Sequence, residues 1–397
     1  MIRPCLHCKS TLHIQEKCPL YVAMLKMKSG AILPSLSFRS VSPAPFVGRF
    51  GYPNINLGIL APPILMDNAA WYDSPREWAL NNVDLSTIAS LRLGLMNNRA
   101  IVNIKTNNHF LETAKQVALS IRPIDADITL SKQPHVGMTV GANHVPFGPT
   151  ASVKKIDLAS YARIPTKVER TVNESDASTV ESCSYLQSHG FDENYLTRMF
   201  SVGLLGVESR RKIVPTRWAI TAIDDTLGKQ HIANICNFPL ANSYEIRFGG
   251  YLGNYYLVLF FPHNWQYELF ETFVPVGVSQ SATDYEGLFG RSSYAENCAG
   301  GYYAPRLAIS EHLVEQKRQA SVLVFRFITS EYSIPLGVWV TREATRKALQ
   351  SKSISFSSKE LLLTFAKRLC AAKFGLSLEL LLAKSKLLKG CDQRTLI

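Results

Sequence analysis

The chain has 397 residues, 46% hydrophobic and 19% charged, with 43 Lys and Arg against 31 Asp and Glu for a formal charge of +12. That length suffices for a large core or two to three packed subdomains, and the basic excess favours polyanionic partners, either nucleic acid or a membrane surface. The composition excludes a disordered chain, a disulfide framework built on eight unevenly spaced cysteines, and a bilayer-spanning helix, since no run of ~20 apolar residues occurs.

Residues 1–21 read as a small metal module. Cys5, Cys8, His13 and Cys18 offer three thiolates and an imidazole within fourteen residues, the donor set of structural zinc. So short a segment has no core of its own, so metal binding would supply much of its folding energy. His7 is the alternative to His13, although it sits inside the Cys5–Cys8 turn. No secretory signal pattern precedes the module, which suggests an intracellular, cytoplasmic protein. Residues 22–45 are linker-like, rich in Ser and Pro.

Glycines and prolines then punctuate β-prone pieces over 46–63. A helix is expected after Ser74-Pro75, because serine caps and proline suits the first helical position. The pattern over 88–96 continues helical, and 108–121 places Phe110, Ala114, Val117 and Ile121 at helical spacing. Residues 122–180 are mixed and turn-rich. Helices follow over 181–205, broken near Gly190, so 73–205 is expected to be mainly helical.

The period changes towards β in the next region. Runs over 213–223, 255–261, 268–276 and 321–328 are aromatic and β-branched, which predicts a mostly antiparallel sheet within 210–340. Between the last two lie a glycine-rich stretch over 290–301 and a helix from about 304 to 319. A short strand over 337–340 and a helix over 342–349 close a core spanning 46–350. Residues 351–390 form a leucine-rich, basic helical tail, and 391–397 a free end. The expected fold class is α+β: a mostly antiparallel sheet flanked by helices, with a small N-terminal zinc module and a helical C-terminus.

Two stretches carry candidate chemistry. Residues 209–226, SRRKIVPTRWAITAIDDT, gather Arg210, Arg211, Lys212 and Arg217 beside Asp224 and Asp225. If 216–225 is extended, Arg217, Thr221 and Asp225 share one face, and Trp218, Ile220 and Ala222 turn to the core. The cations would suit successive phosphates, and they would equally suit internal pairs with carboxylates. Asp224 and Asp225, with Glu286, are candidate ligands for catalytic Mg or Mn, although adjacent strand residues point to opposite faces. In the glycine-rich stretch, Arg291 and Arg306 with free backbone N–H groups could surround an anion, or the glycines could serve helix-on-sheet packing. The chain carries no nucleophile elbow, paired-histidine zinc motif or Walker lysine.

The 209–226 block resembles the signature of the archaeal Nre family, and so do FVGRFGYP (46–53), Asp73-Ser74-Pro75 with Trp78, GGYYAPRLA (300–308), Arg318-Gln319-Ala320 and PLGVW (335–339). The resemblance spans about residues 5–350. It implies a DNA repair protein of the DNA damage response, cytoplasmic and nucleoid-associated; for such a protein the cations Arg210, Arg211, Lys212, Arg217, Arg291 and Arg306 are the candidate DNA contacts. It also implies an N-terminal four-cysteine metal pattern, matched at Cys18-Pro19, with His13 standing near one expected cysteine. Family members typically end in a peptide that binds the sliding clamp PCNA. Gln393 and Leu396 match its first half, and the chain stops before the aromatic pair. Two alternatives stand beside DNA binding: a metal-dependent nuclease or phosphoesterase using Asp224 and Asp225, and a clamp-tethered adaptor without DNA contact.

Overall fold

A computed structural model describes residues 34–105, 107–134 and 148–392. The chain divides into two compact units, Met1–Thr226 with Ile334–Leu336, and Leu227–Ser333 with Gly337–Ile397. The Cys5, Cys8, His13 and Cys18 quartet and the Gln393 and Leu396 pair lie outside the described residues.

The first unit is built on a sheet. Strands β1 (Ser37–Ser42), β2 (Ala44–Val47), β3 (Asn54–Ala61), β4 (Met96–Asn103), β5 (Ile124–Leu130) and β6 (Thr150–Leu158) pair in the order β1-β5-β6-β4-β3-β2. All contacts are antiparallel except that of β4 with β6. This corrects the mainly helical expectation for 73–205. Three asparagines in β4 and two aspartates in β5 lower their strand propensity, and tertiary pairing overrides it. Several of the polar groups find partners across the sheet: Asn98 Nδ2 donates to Ile59 O at 3.1 Å, Asn103 Nδ2 donates to Asn54 Oδ1 at 2.9 Å, and Arg39 forks onto Asp127 at 2.8 and 3.0 Å.

The helices of this unit follow their local signals more closely. They are α1 (Pro75–Leu80), α2 (Leu85–Leu93), α3 (His109–Leu119), α4 (Thr166–Asn173), α5 (Thr179–Ser188) and α6 (Glu193–Ser201). Pro75 opens α1 as expected, but the Ser74 hydroxyl donates back to Ala70 O at 2.6 Å and caps nothing. The Asn108 side chain accepts from Leu111 N and caps α3. Gly190, at φ 88°, makes the break between α5 and α6. Trp78 is fully buried, with its Nε1 donating to Trp71 O at 2.7 Å, under Arg92, which pairs with Asp73 at 2.7 Å.

Residues 213–223 are not a strand. They are a short extended stretch followed by the first turns of α7 (Thr216–Ile235). Ala219, Ile223 and Leu227, all buried, fall at i, i+4 and i+8, which is a helical stripe. Trp218, assigned to the core on strand alternation, is 47% exposed in consequence.

The second unit carries a second six-stranded sheet, in the order β10-β9-β11-β8-β7-β12. Its strands are β7 (Tyr244–Tyr251), β8 (Asn254–Phe261), β9 (Gln266–Phe273), β10 (Ala282–Glu286), β11 (Ser321–Ile328) and β12 (Ile354–Phe356). The antiparallel expectation holds except between β11 and β9, which run parallel. Central strands β8 and β11 are apolar on both faces because helices cover both. Leu257, Leu259, Phe325 and Phe327 pack with Leu362, Ala366, Leu381 and Leu387 of α10 (Lys359–Phe374), α11 (Glu379–Lys384) and α12 (Lys386–Asp392). On the opposite face, Tyr267 meets Tyr302 of α8 (Gly300–Gln316), and Gly249 lets α9 (Trp339–Gln350) approach so closely that a Cβ would lie 2.8 Å from Ala348 Cα. The strand expected over 337–340 is replaced by the start of α9.

Two histidines on this unit's helices are held neutral. Burial lowers the His312 imidazole to about 4, with Arg247 adding to the effect, and burial likewise lowers His231. The unfolded chain takes up protons below about pH 6.5 that native His312 refuses until about 4, so stability falls as pH drops through that window. The loss expected from His312 is about 2–3 kcal/mol. Urea unfolding at neutral and mildly acidic pH checks it: His312→Gln should show a smaller acid loss than wild type, and equal losses would refute the assignment.

Among the described residues, no helix is long and apolar enough to cross a membrane.

Candidate nucleic-acid interface

The 209–226 block is fixed to the first unit by its backbone. Ile213 N donates to Ile104 O, Val214 N donates to Ser201 O, and the Thr216 hydroxyl accepts from Val47 N at 2.9 Å. These contacts set the extended stretch against the end of β4 and aim the first turn of α7 outward. Its four cations then divide. Arg211 turns inward and donates to the carbonyls of Gly206, Val172 and Glu174 at 2.7, 2.9 and 2.7 Å, so its guanidinium serves as a backbone clasp. Arg210, Lys212 and Arg217 are exposed and have no ion pair or side-chain hydrogen bond with a described residue.

No carboxylate occurs between Ser209 and Ile223. With Glu208 at one edge and Asp224-Asp225 at the other as the nearest acids, the stretch keeps a net positive charge, and its field is available to a ligand. Lys212 also lines a cleft of about 500 Å³ beside α3 and α4, with Lys105 and Lys115 on the same wall and Glu112, Glu169 and Glu208 among its acids. Lys115 is already paired with Glu112 at 2.7 Å. Lys105 and Lys115 were missed in the sequence, where they are single lysines in a turn and on an amphipathic helix with nothing to mark them.

The candidate catalytic carboxylates occupy different surroundings. Asp224 is buried and Asp225 half-buried on successive helical positions, about 100° apart around the axis, which does not aim both at one ion. Glu286, in the second unit, is buried and accepts from Trp265 Nε1 at 3.3 Å while pairing with Arg306 at 2.9 Å. Among the described residues, no three His, Cys, Asp or Glu side chains gather as metal ligands. Cys298 is no better a nucleophile: burial, then Glu271 and Asp284, push its thiol far above the ordinary range.

The glycine-rich stretch belongs to internal packing. Arg306 has no exposed surface, and its guanidinium lies over the Tyr303 ring at 5.2 Å. A Cβ at Gly228 would sit 3.2 Å from two of its nitrogens, so the glycine of α7 makes room for this arginine. Gly301 does the same for a carboxylate, since a Cβ there would lie 2.7 Å from Glu271 Oε1, itself bonded to Arg326. Arg291 is half-buried, pairs with Asp284 at 3.3 Å and donates to the carbonyls of Tyr285 and Tyr294. In this conformation the guanidiniums of Arg291 and Arg306 are engaged internally, which leaves Arg210, Lys212 and Arg217 as the accessible members of the predicted set.

Known proteins bear out the resemblance. The family described as Archaeal Nre, N-terminal, matches residues 12–279, and Archaeal Nre, C-terminal, matches residues 286–397. The chain is 33% identical to the DNA repair protein NreB of Archaeoglobus fulgidus, covering 99% of this chain and 98% of that protein. It is 35% identical to the DNA repair protein NreA of Haloferax volcanii, covering 79% and 78%. NreA of Archaeoglobus fulgidus is 33% identical over 92% of this chain and 93% of its own. No solved structure matches the chain.

Proposed function

The chain belongs to the archaeal Nre family, and from that premise we propose that it is a DNA repair factor gripping the phosphate backbone through Arg210, Lys212 and Arg217. The observation that carries the reading is their shared state: exposed, without a described partner, on a segment free of carboxylates and pinned in place by its backbone. Arginine and lysine so placed position a nucleic acid without reading its sequence. The relatives' names supply the context of repair.

Binding driven by phosphates releases counterions, so affinity should fall steeply with salt. In the Arg210→Ala, Lys212→Ala, Arg217→Ala triple variant, the slope of log affinity against log salt should be shallower by about 2–3, roughly one per contact. Filter-binding titrations over a salt series measure it. An unchanged slope, or wild-type affinity indifferent to salt, would remove the proposal.

A further inference from the structure

Beside Arg217 the same unit exposes aromatic rings in a group. Phe50 is 63% exposed, Tyr52 45% and Trp218 47%. Phe50 and Tyr52 sit on the loop joining β2 to β3, whose tip is closed by Gly51 at φ 85° and by Asn54 N donating to Gly51 O at 2.8 Å. A Cβ on Gly51 would lie 2.6 Å from Asn54 O, so the tight turn that lifts both rings requires glycine. Trp218 reaches the loop from the first turn of α7, its ring 5.5 Å from that of Tyr52 and inclined at 50°. Arg49 lies over Phe50 at 4.8 Å.

Aromatic rings gain by burial, so rings exposed together on a tight turn offer a surface that a ligand would cover. Charge complementarity selects which one. Residues 44–66 and 209–223, which present the rings, contain five cations and no carboxylate. A basic surface interleaved with rings is the chemistry that binds single-stranded nucleic acid: cations follow the backbone while bases stack on π-faces without sequence preference.

We propose that Phe50, Tyr52 and Trp218 form a stacking platform for unpaired bases, so that this protein prefers DNA with a single-stranded segment over intact duplex. The inference rests on the phosphate-binding reading above and adds the class of DNA it selects. The row of Arg210, Lys212 and Arg217 grips backbone of either form, whereas the rings reward only a base that has left its stack.

Fluorescence anisotropy of the full chain with a labelled oligothymidylate strand and with a blunt duplex of equal length, at one salt concentration, tests this. Wild type should bind the strand more tightly. Trp218→Ala should weaken the strand complex about 5- to 150-fold and leave the duplex complex within about twofold, and Trp218→Phe should restore most of the loss because it retains a ring. Trp218 is a surface residue, so circular dichroism should verify an intact fold, and Tyr52→Ala supplies a second variant with the same expected pattern. Equal weakening on both DNAs, or strand affinity unchanged in both alanine variants, overturns the platform and points the rings to a protein partner, while a salt slope that still responds to the triple variant keeps the phosphate reading. Wild-type protein that binds neither DNA overturns both.

Discussion

Replacing Arg306 with methionine should cost the second unit about 3–5 kcal/mol, because it strands the Glu286 carboxylate in a site with no access to water. Both side chains have zero exposure, and their contact at 2.9 Å links the end of β10 to α8. Desolvating two ions is expensive, and the penalty is offset only while each keeps its counterpart. Glu286 also accepts from Trp265 Nε1, and Arg306 lies over Tyr303. Glu286→Gln alone should be destabilising as well, since it removes the carboxylate charge that the buried guanidinium contacts at 2.9 Å. The combined Arg306→Met, Glu286→Gln variant should recover a good part of the sum, because glutamine can still accept from the tryptophan and both charges of the pair are removed together. Urea unfolding of the four proteins gives the coupling directly. Additive single losses would mean that the pair is not an energetic unit.

Glu268 predicts the next largest effect, on the C-terminal helix. Its buried carboxylate accepts from the Ser385 hydroxyl at 2.5 Å and from Lys386 N and Leu387 N at 3.0 Å each. A single acidic side chain on β9 thus satisfies orphan N–H groups at the start of α12 and complements the positive end of that helix. The anchored helix buries Leu387 and Leu388 against the sheet. Glu268→Ala should release α12 at a cost of about 2–4 kcal/mol, since charge-assisted bonds to buried donors are lost together. Glu268→Gln should be milder, because the amide oxygen still accepts. Hydrogen exchange across 384–392 reads the outcome: protection that survives in Glu268→Ala would show that apolar contacts alone hold the helix.

The two units differ in how openly the sequence declares them. Strands β8 and β11 were legible because apolar and β-branched residues dominate both, with Arg326 the one charge in β11, as expected of strands covered on both faces. Gly190 marked the break between α5 and α6 for an equally local reason. Strands β4 and β5 were hidden, since asparagine and aspartate have low strand propensity and only pairing with distant strands fixes them as extended. At 213–223 the β-branched and aromatic content favours a strand, whereas the buried stripe Ala219, Ile223 and Leu227 has the helical spacing that prevails.

The candidate site divides along the same line. Composition and short-range spacing were enough to locate a concentration of cations in 209–226 beside Asp224 and Asp225, the resemblance to the Nre family and an α+β core. Which cations are available depends on contacts between distant segments. Arg211 is claimed by carbonyls 37 and 39 residues upstream, Arg306 by a carboxylate 20 residues away, and Arg210, Lys212 and Arg217 by no described side chain. Tertiary structure also turned Trp218 out of the core towards Tyr52, a residue more than a hundred positions earlier. The physical reason is the range of the forces. Propensity and periodicity act between near neighbours, whereas the partner of a long charged or aromatic side chain is whatever distant segment the packed fold brings within reach of it.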